Sequence, residues 1–139
     1  MSAKNVYHDV VIDALVADGW TITDDPLSLK YGGRDLHVDL GAERPVIGAK
    51  KADEKIAVEI QSFLSDSPVH DVEVALGQHE IYQAALEKTD PQRKLFLAVP
   101  SRVHRGIFSE KFGKLVIKKF SISLLVFDEK KSRVLKWEP

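Results

Sequence analysis

The chain has no cysteine among its 139 residues, which removes both a disulfide framework and any thiolate metal site. That absence agrees with a reducing, cytoplasmic setting. No apolar run approaches the roughly 20 residues of a membrane helix, so no membrane role is expected. Met1-Ser2-Ala3-Lys4-Asn5 lacks the apolar core of a signal peptide. Charge of one sign is missing too, since 20 Lys and Arg against 21 Asp and Glu leave a net charge of −1. Nucleic-acid binders usually carry a basic excess, so contact with phosphates here would need local clusters. The candidates are Lys50, Lys51 and Lys55; Arg102 and Arg105; and Lys111, Lys114, Lys118 and Lys119. Taken singly, each reads first as solvated surface.

What is present suits a globular protein. Hydrophobic residues make up 44% and charged residues 29%, and the length fits one domain, 1–139, able to bury a core without staples. Val6 to Asp18 has the helical spacing of Tyr7, Val10, Val11, Ala14 and Leu15, with Asn5 as N-cap and Gly19 suited to the residue after the last turn. Trp20 to Thr23 alternates as a strand, Leu27 to Leu29 resumes an extended path, and Gly32-Gly33 breaks it. Ser67-Pro68 opens the longest helix, Val69 to Leu86. Lys94 to Val99 is apolar throughout, as in a strand covered on both faces. A further helix runs from about Phe108 to Phe120, with Gly113 against it, and Ser123 to Phe127 with Arg133 to Trp137 form a terminal hairpin. The order αβββαβαββ describes an α/β (α+β) protein with a mixed central β-sheet flanked by helices.

Two stretches carry the chemistry. Asp35 to Leu40 and Lys55 to Ser62 alternate with the period of a strand. The first sets Asp35, His37 and Asp39 on one face, and the second sets Ala57, Glu59 and Gln61 opposite Ile56, Val58 and Ile60. If the strands are neighbours, Asp39 meets Glu59. Two carboxylates with the main-chain carbonyl of Ile60 suit Mg²⁺ or Mn²⁺, which takes hard oxygen ligands and keeps positions for water and phosphate. A third polar group beside such an ion orients water or opposes developing charge, and a lysine does so best. Gln61 stands there and carries no charge. Lys50, Lys51 and Lys55, in and beside the connection between the two strands, are cations that could reach the site. On the long helix Gln78 and Tyr82 share a face beside Ala75 and Ala85. Spacing alone favours a solvated strand surface, and Gln78 and Tyr82 equally suit helix hydrogen bonding.

Tyr7-His8-Asp9, Asp18 through Pro26, Asp39-Leu40-Gly41-Ala42-Glu43, Ile56 through Phe63 and Ala75-Leu76-Gly77-Gln78 together resemble the XisH family, the fdxN element excision controlling factors of cyanobacteria. The resemblance runs to Trp137. It implies a restriction-endonuclease-like core of the PD-(D/E)xK type, with Asp39 and Glu59 at the metal-binding acid positions. Gln78-x-x-x-Tyr82 is similar to a helix motif of RecB-like nucleases, and His8 lies where related nucleases draw an extra active-site residue. The family commonly has lysine at the position of Gln61, from which this chain departs. The implied role is control of a programmed DNA excision performed by a site-specific recombinase, together with an XisI-type companion protein. Three readings follow: a Mg²⁺-dependent nuclease acting on DNA, a catalytically inactive DNA- or partner-binding regulator, and an interaction module that never touches DNA. Homo-oligomerisation stays open.

Overall fold

The structure, a computed structural model, describes residues 6–45 and 54–139. Helix α1 (His8–Ala17) is followed by five strands, β1 (Thr21–Asp24), β2 (Leu27–Tyr31), β3 (Arg34–Val38), β4 (Leu40–Arg44) and β5 (Glu54–Ile60). Then come α2 (Pro68–Thr89), β6 (Lys94–Pro100), α3 (Ser101–Arg105), α4 (Lys111–Lys119), β7 (Leu124–Asp128) and β8 (Arg133–Glu138). Six strands form a mixed sheet in the order β1-β4-β5-β6-β7-β8, and β2 pairs with β3 apart from it. Strands β5, β6 and β7 run parallel, and the others join antiparallel.

This order differs from αβββαβαββ in two places, the first being five strands instead of three before α2, because Leu27–Tyr31 is a strand of its own and a later stretch divides. The Asp35–Leu40 stretch is not one strand. It breaks at Asp39, so that β3 closes a hairpin on β2 while β4 enters the large sheet between β1 and β5. The alternation of Leu36, Val38 and Leu40 continues across the joint, so periodicity does not reveal it. Residues 41–44 also continue as strand rather than opening a polar connection, because Leu40 and Ala42 are fully buried against the core. The second difference is the extra short helix α3, which follows Pro100 directly.

The sheet buries both faces. Under α1 lie Val11, Leu15, Trp20, Leu40, Ile56, Val58, Ile60, Phe96 and Phe127. Under α2, α3 and α4 lie Val72, Ala75, Leu97, Val99, Phe108, Val116 and Val126. The β2–β3 hairpin packs on this second face through Leu27, Leu29 and Val38 against Ala57, Ala85, Leu86 and Leu95.

Local signals account for the elements. Gly19 adopts φ +94° after α1, and Gly32 and Gly33 at +59° and +79° form the tight turn of the β2–β3 hairpin. Ser67 caps α2, its hydroxyl accepting from the His70 amide at 3.1 Å, with Pro68 in the first turn. Gly113 sits inside α4 despite its poor helix propensity, because a Cβ there would lie 2.1 Å from the Ile107 carbonyl oxygen. The proposed cap Asn5 lies outside the described residues.

Candidate active site

The main-chain pairing of β4 with β5 reaches Leu40 opposite Val58, and one position further on Asp39 comes level with Glu59. There the side chains replace the ladder. The Asp39 amide donates to Glu59 Oε1 at 3.2 Å, and the Ile60 amide donates to Asp39 Oδ2 at 2.8 Å. Each carboxyl thus satisfies the backbone of the other's strand. Both acids are fixed by groups that must be satisfied in any case.

Glu59 is buried, with 7% of its surface exposed. Burial raises its carboxyl first and the charge of Asp39 adds to that, carrying the pKa up to about 8. Burial also raises Asp39, against the Ile60 amide and the charge of His8, which favour its ionised form. At neutral pH Glu59 therefore keeps its proton, and one negative charge is missing from a place built of two acids.

A cleft of about 320 Å³ opens on the pair, lined by His37, Asp39, Glu59, Ile60, Gln61, Gln78 and Tyr82. Three elements form its walls. The sheet supplies the acids and Gln61, α2 supplies Gln78 and Tyr82, and the hairpin supplies His37. Gln61 Nε2 donates to Gln78 Oε1, tying strand to helix. The Tyr82 hydroxyl is pushed up, first by burial and then by the charges of Glu59 and Asp39. Ala75 and Ala85, buried on the same helix, let α2 lie close.

His8 takes another place. It is buried rather than on the helix surface, at 5% exposure, with Nε2 2.8 Å from Asp25 Oδ1. The charges of both residues act on Asp39, but neither lines the cleft. Lys50 and Lys51 lie outside the described residues. Lys55 sits opposite Glu43, four residues before Glu59, or roughly 13 Å of strand. The four lysines of α4 are exposed to solvent.

Two residues were not foreseen. His37 shares the Asp39 face in the alternation, a signal that was available. Arg102 had none. Its guanidinium donates to the carbonyls of Ser62 and Phe63 and so holds the segment after Gln61, where Phe63 has φ +55°. A larger groove of about 850 Å³ lies at the start of β6 and β7, around His79, Gln83, Glu87 and Lys118. The acid cleft is the better site despite its size, because it lies at the carboxyl ends of the parallel strands and holds the groups whose protonation is displaced. Among the described residues no three His, Asp or Glu side chains gather where they could hold one metal ion. Two carboxylates are the acids available there.

Fold and site define a mixed α/β protein whose sheet presents two adjacent carboxyls, each accepting a backbone amide of the other's strand, at the carboxyl edge of its parallel strands. The family model described as XisH protein matches residues 1–135. The chain belongs to the XisH family. An XisH family protein from Nostoc punctiforme PCC 73102 superimposes with a TM-score of 0.88 at 38% identity, covering 97% of this chain and 100% of that one. An fdxN element excision controlling factor protein from Anabaena variabilis gives 0.87 at 37% identity, covering 98% and 100%. No curated protein matches. Among the described residues no helix is long and apolar enough to cross a membrane.

Proposed function

We propose that the chain is a DNA-acting protein with a restriction-endonuclease-like PD-(D/E)xK core, and that Asp39, Glu59 and the Ile60 carbonyl hold a magnesium or manganese ion. The observation that carries this is the acid pair. Two carboxyls are kept side by side and partly buried, with a protonation that costs them a charge unless a cation restores it. Hard oxygen donors at two positions, with an open cleft beside them, fit Mg²⁺, which keeps water and substrate oxygens in its remaining positions. When bound, the ion would polarise a phosphodiester and lower the pKa of an attacking water.

The protein's own groups do the rest. On binding such an ion Glu59 would release its proton to solvent water. Gln61 and Gln78, held by their mutual hydrogen bond, orient water or a phosphate oxygen through their remaining amide groups. Tyr82 offers a hydroxyl beside the acids. Mn²⁺ titration followed by electron paramagnetic resonance should find one site in the wild type and none in Glu59→Ala. A wild type that binds no metal sinks the proposal.

A second reading rests on Gln61. Its amide is engaged with Gln78, and no cation stands in its place, so the same site suits a regulator that binds DNA without cutting it. Cleavage by wild type in Mn²⁺ favours the nuclease. Cleavage by Gln61→Lys alone favours a lapsed one. In either reading DNA is the partner, in the cytoplasm, with an XisI-type companion protein and a site-specific recombinase acting beside it. The description of the Anabaena variabilis relative as an excision controlling factor supports that setting.

A further inference from the structure

We infer that His37 is a substrate-contact residue of the acid cleft, donating a hydrogen bond from Nε2 to a phosphate oxygen; the inference rests on the DNA reading above. Gln61 supplies no charge at the pair, and one of its amide donors is already given to Gln78. The donor that faces the acids from elsewhere is therefore the group to find. His37 is in that position: it lies on β3, lines the cleft across from α2, and is exposed to solvent.

The ring is held from its other side. Ser28 and His37 are directly opposed in the β2–β3 hairpin, and Ser28 Oγ lies 3.2 Å from His37 Nδ1. With the hydroxyl donating to Nδ1, the neutral ring carries its hydrogen on Nε2. Nε2 has no partner among the described residues. An N–H donor there suits a phosphate whose charge is already partly met by a metal ion. The hairpin turn at Gly32-Gly33 and the packing of Leu27, Leu29 and Val38 on α2 set its position relative to the acids.

The test separates metal from substrate. Mn²⁺ binding is measured alone, and binding of a short duplex DNA of mixed sequence is measured in Ca²⁺ by fluorescence anisotropy. His37→Ala should bind Mn²⁺ as the wild type does and lose about tenfold in DNA affinity, the size of one hydrogen bond to a charged group. His37→Gln, which keeps an N–H donor, should recover most of it, and Ser28→Ala should lose about threefold. Unchanged DNA affinity in His37→Ala, or equal losses in the Ala and Gln variants, overturns the inference and leaves the acid pair standing. A wild type that binds neither Mn²⁺ nor DNA fails the underlying reading instead.

Discussion

Strand β5 has two unlike faces. Toward α1 it presents Ile56, Val58 and Ile60, all at 2% exposure or less. Toward α2 it presents Ala57, Glu59 and Gln61. The first face is sealed by large aliphatic side chains that interdigitate with α1, so it can only contribute stability. The second begins with a small residue, admits α2 and the hairpin, and ends in a polar cleft. The same seven-residue strand therefore anchors the fold on one side and builds the site on the other. The polar side is tolerated because Glu59 and Asp39 satisfy backbone amides that the interrupted ladder leaves over.

The comparison breaks if the two faces respond alike. On the sealed face, Ile56→Ala should cost about 2–5 kcal/mol in urea unfolding, through lost burial and a residual cavity. Gly113→Ala, far from either face of β5, should cost about 1–3 kcal/mol, because the added methyl meets the Ile107 carbonyl.

Glu59→Gln should behave in the opposite sense. The unfolded carboxyl titrates near its ordinary value of 4.5 and the folded one near 8, so between those pH values the folded state holds the extra proton. Stability of the wild type must then fall as pH rises through that window, and the full penalty is present above about 8. Thermal unfolding from pH 5 to 9 should show a falling midpoint that is flatter in Glu59→Gln. The variant should be the more stable protein at pH 9. A wild-type midpoint rising over this range would mean that the acids are not coupled as described.

Metal sharpens the same contrast. A divalent ion that takes the place of the Glu59 proton should bind more tightly at pH 8 than at pH 6, with proton release visible by calorimetry in buffers of different ionisation enthalpy. The smallest effect concerns the helix that carries Gln78 and Tyr82. Ser67→Ala removes the cap accepted by His70 and should cost about 1 kcal/mol, read as a lower melting temperature.

Much of the framework was legible. Ser67-Pro68, Gly19 and the twin glycines act through local backbone geometry, which short sequence windows encode. The alternation of β5 correctly separated Ile56, Val58 and Ile60 from Glu59 and Gln61, and the spacing of Gln78 and Tyr82 placed both on one helix face. The break at Asp39 was not legible. A strand that leaves one sheet for another keeps its alternation, so the pattern of Leu36, Val38 and Leu40 runs through the joint undisturbed. The burial of His8 and its pairing with Asp25 were not legible, because that partner lies seventeen positions away. Arg102 could not be found from spacing, since its partners are carbonyls and carry no residue signature.

The sequence by itself determined which side chains alternate, where the long helix begins, and that Glu59 and Gln61 share the polar side of their strand. Tertiary structure alone decided that the Asp39 stretch would split between two sheets and bring the acids level across β4 and β5. Periodicity is a local property of the chain, whereas the raised pKa of Glu59 depends on burial and on a neighbour twenty residues away.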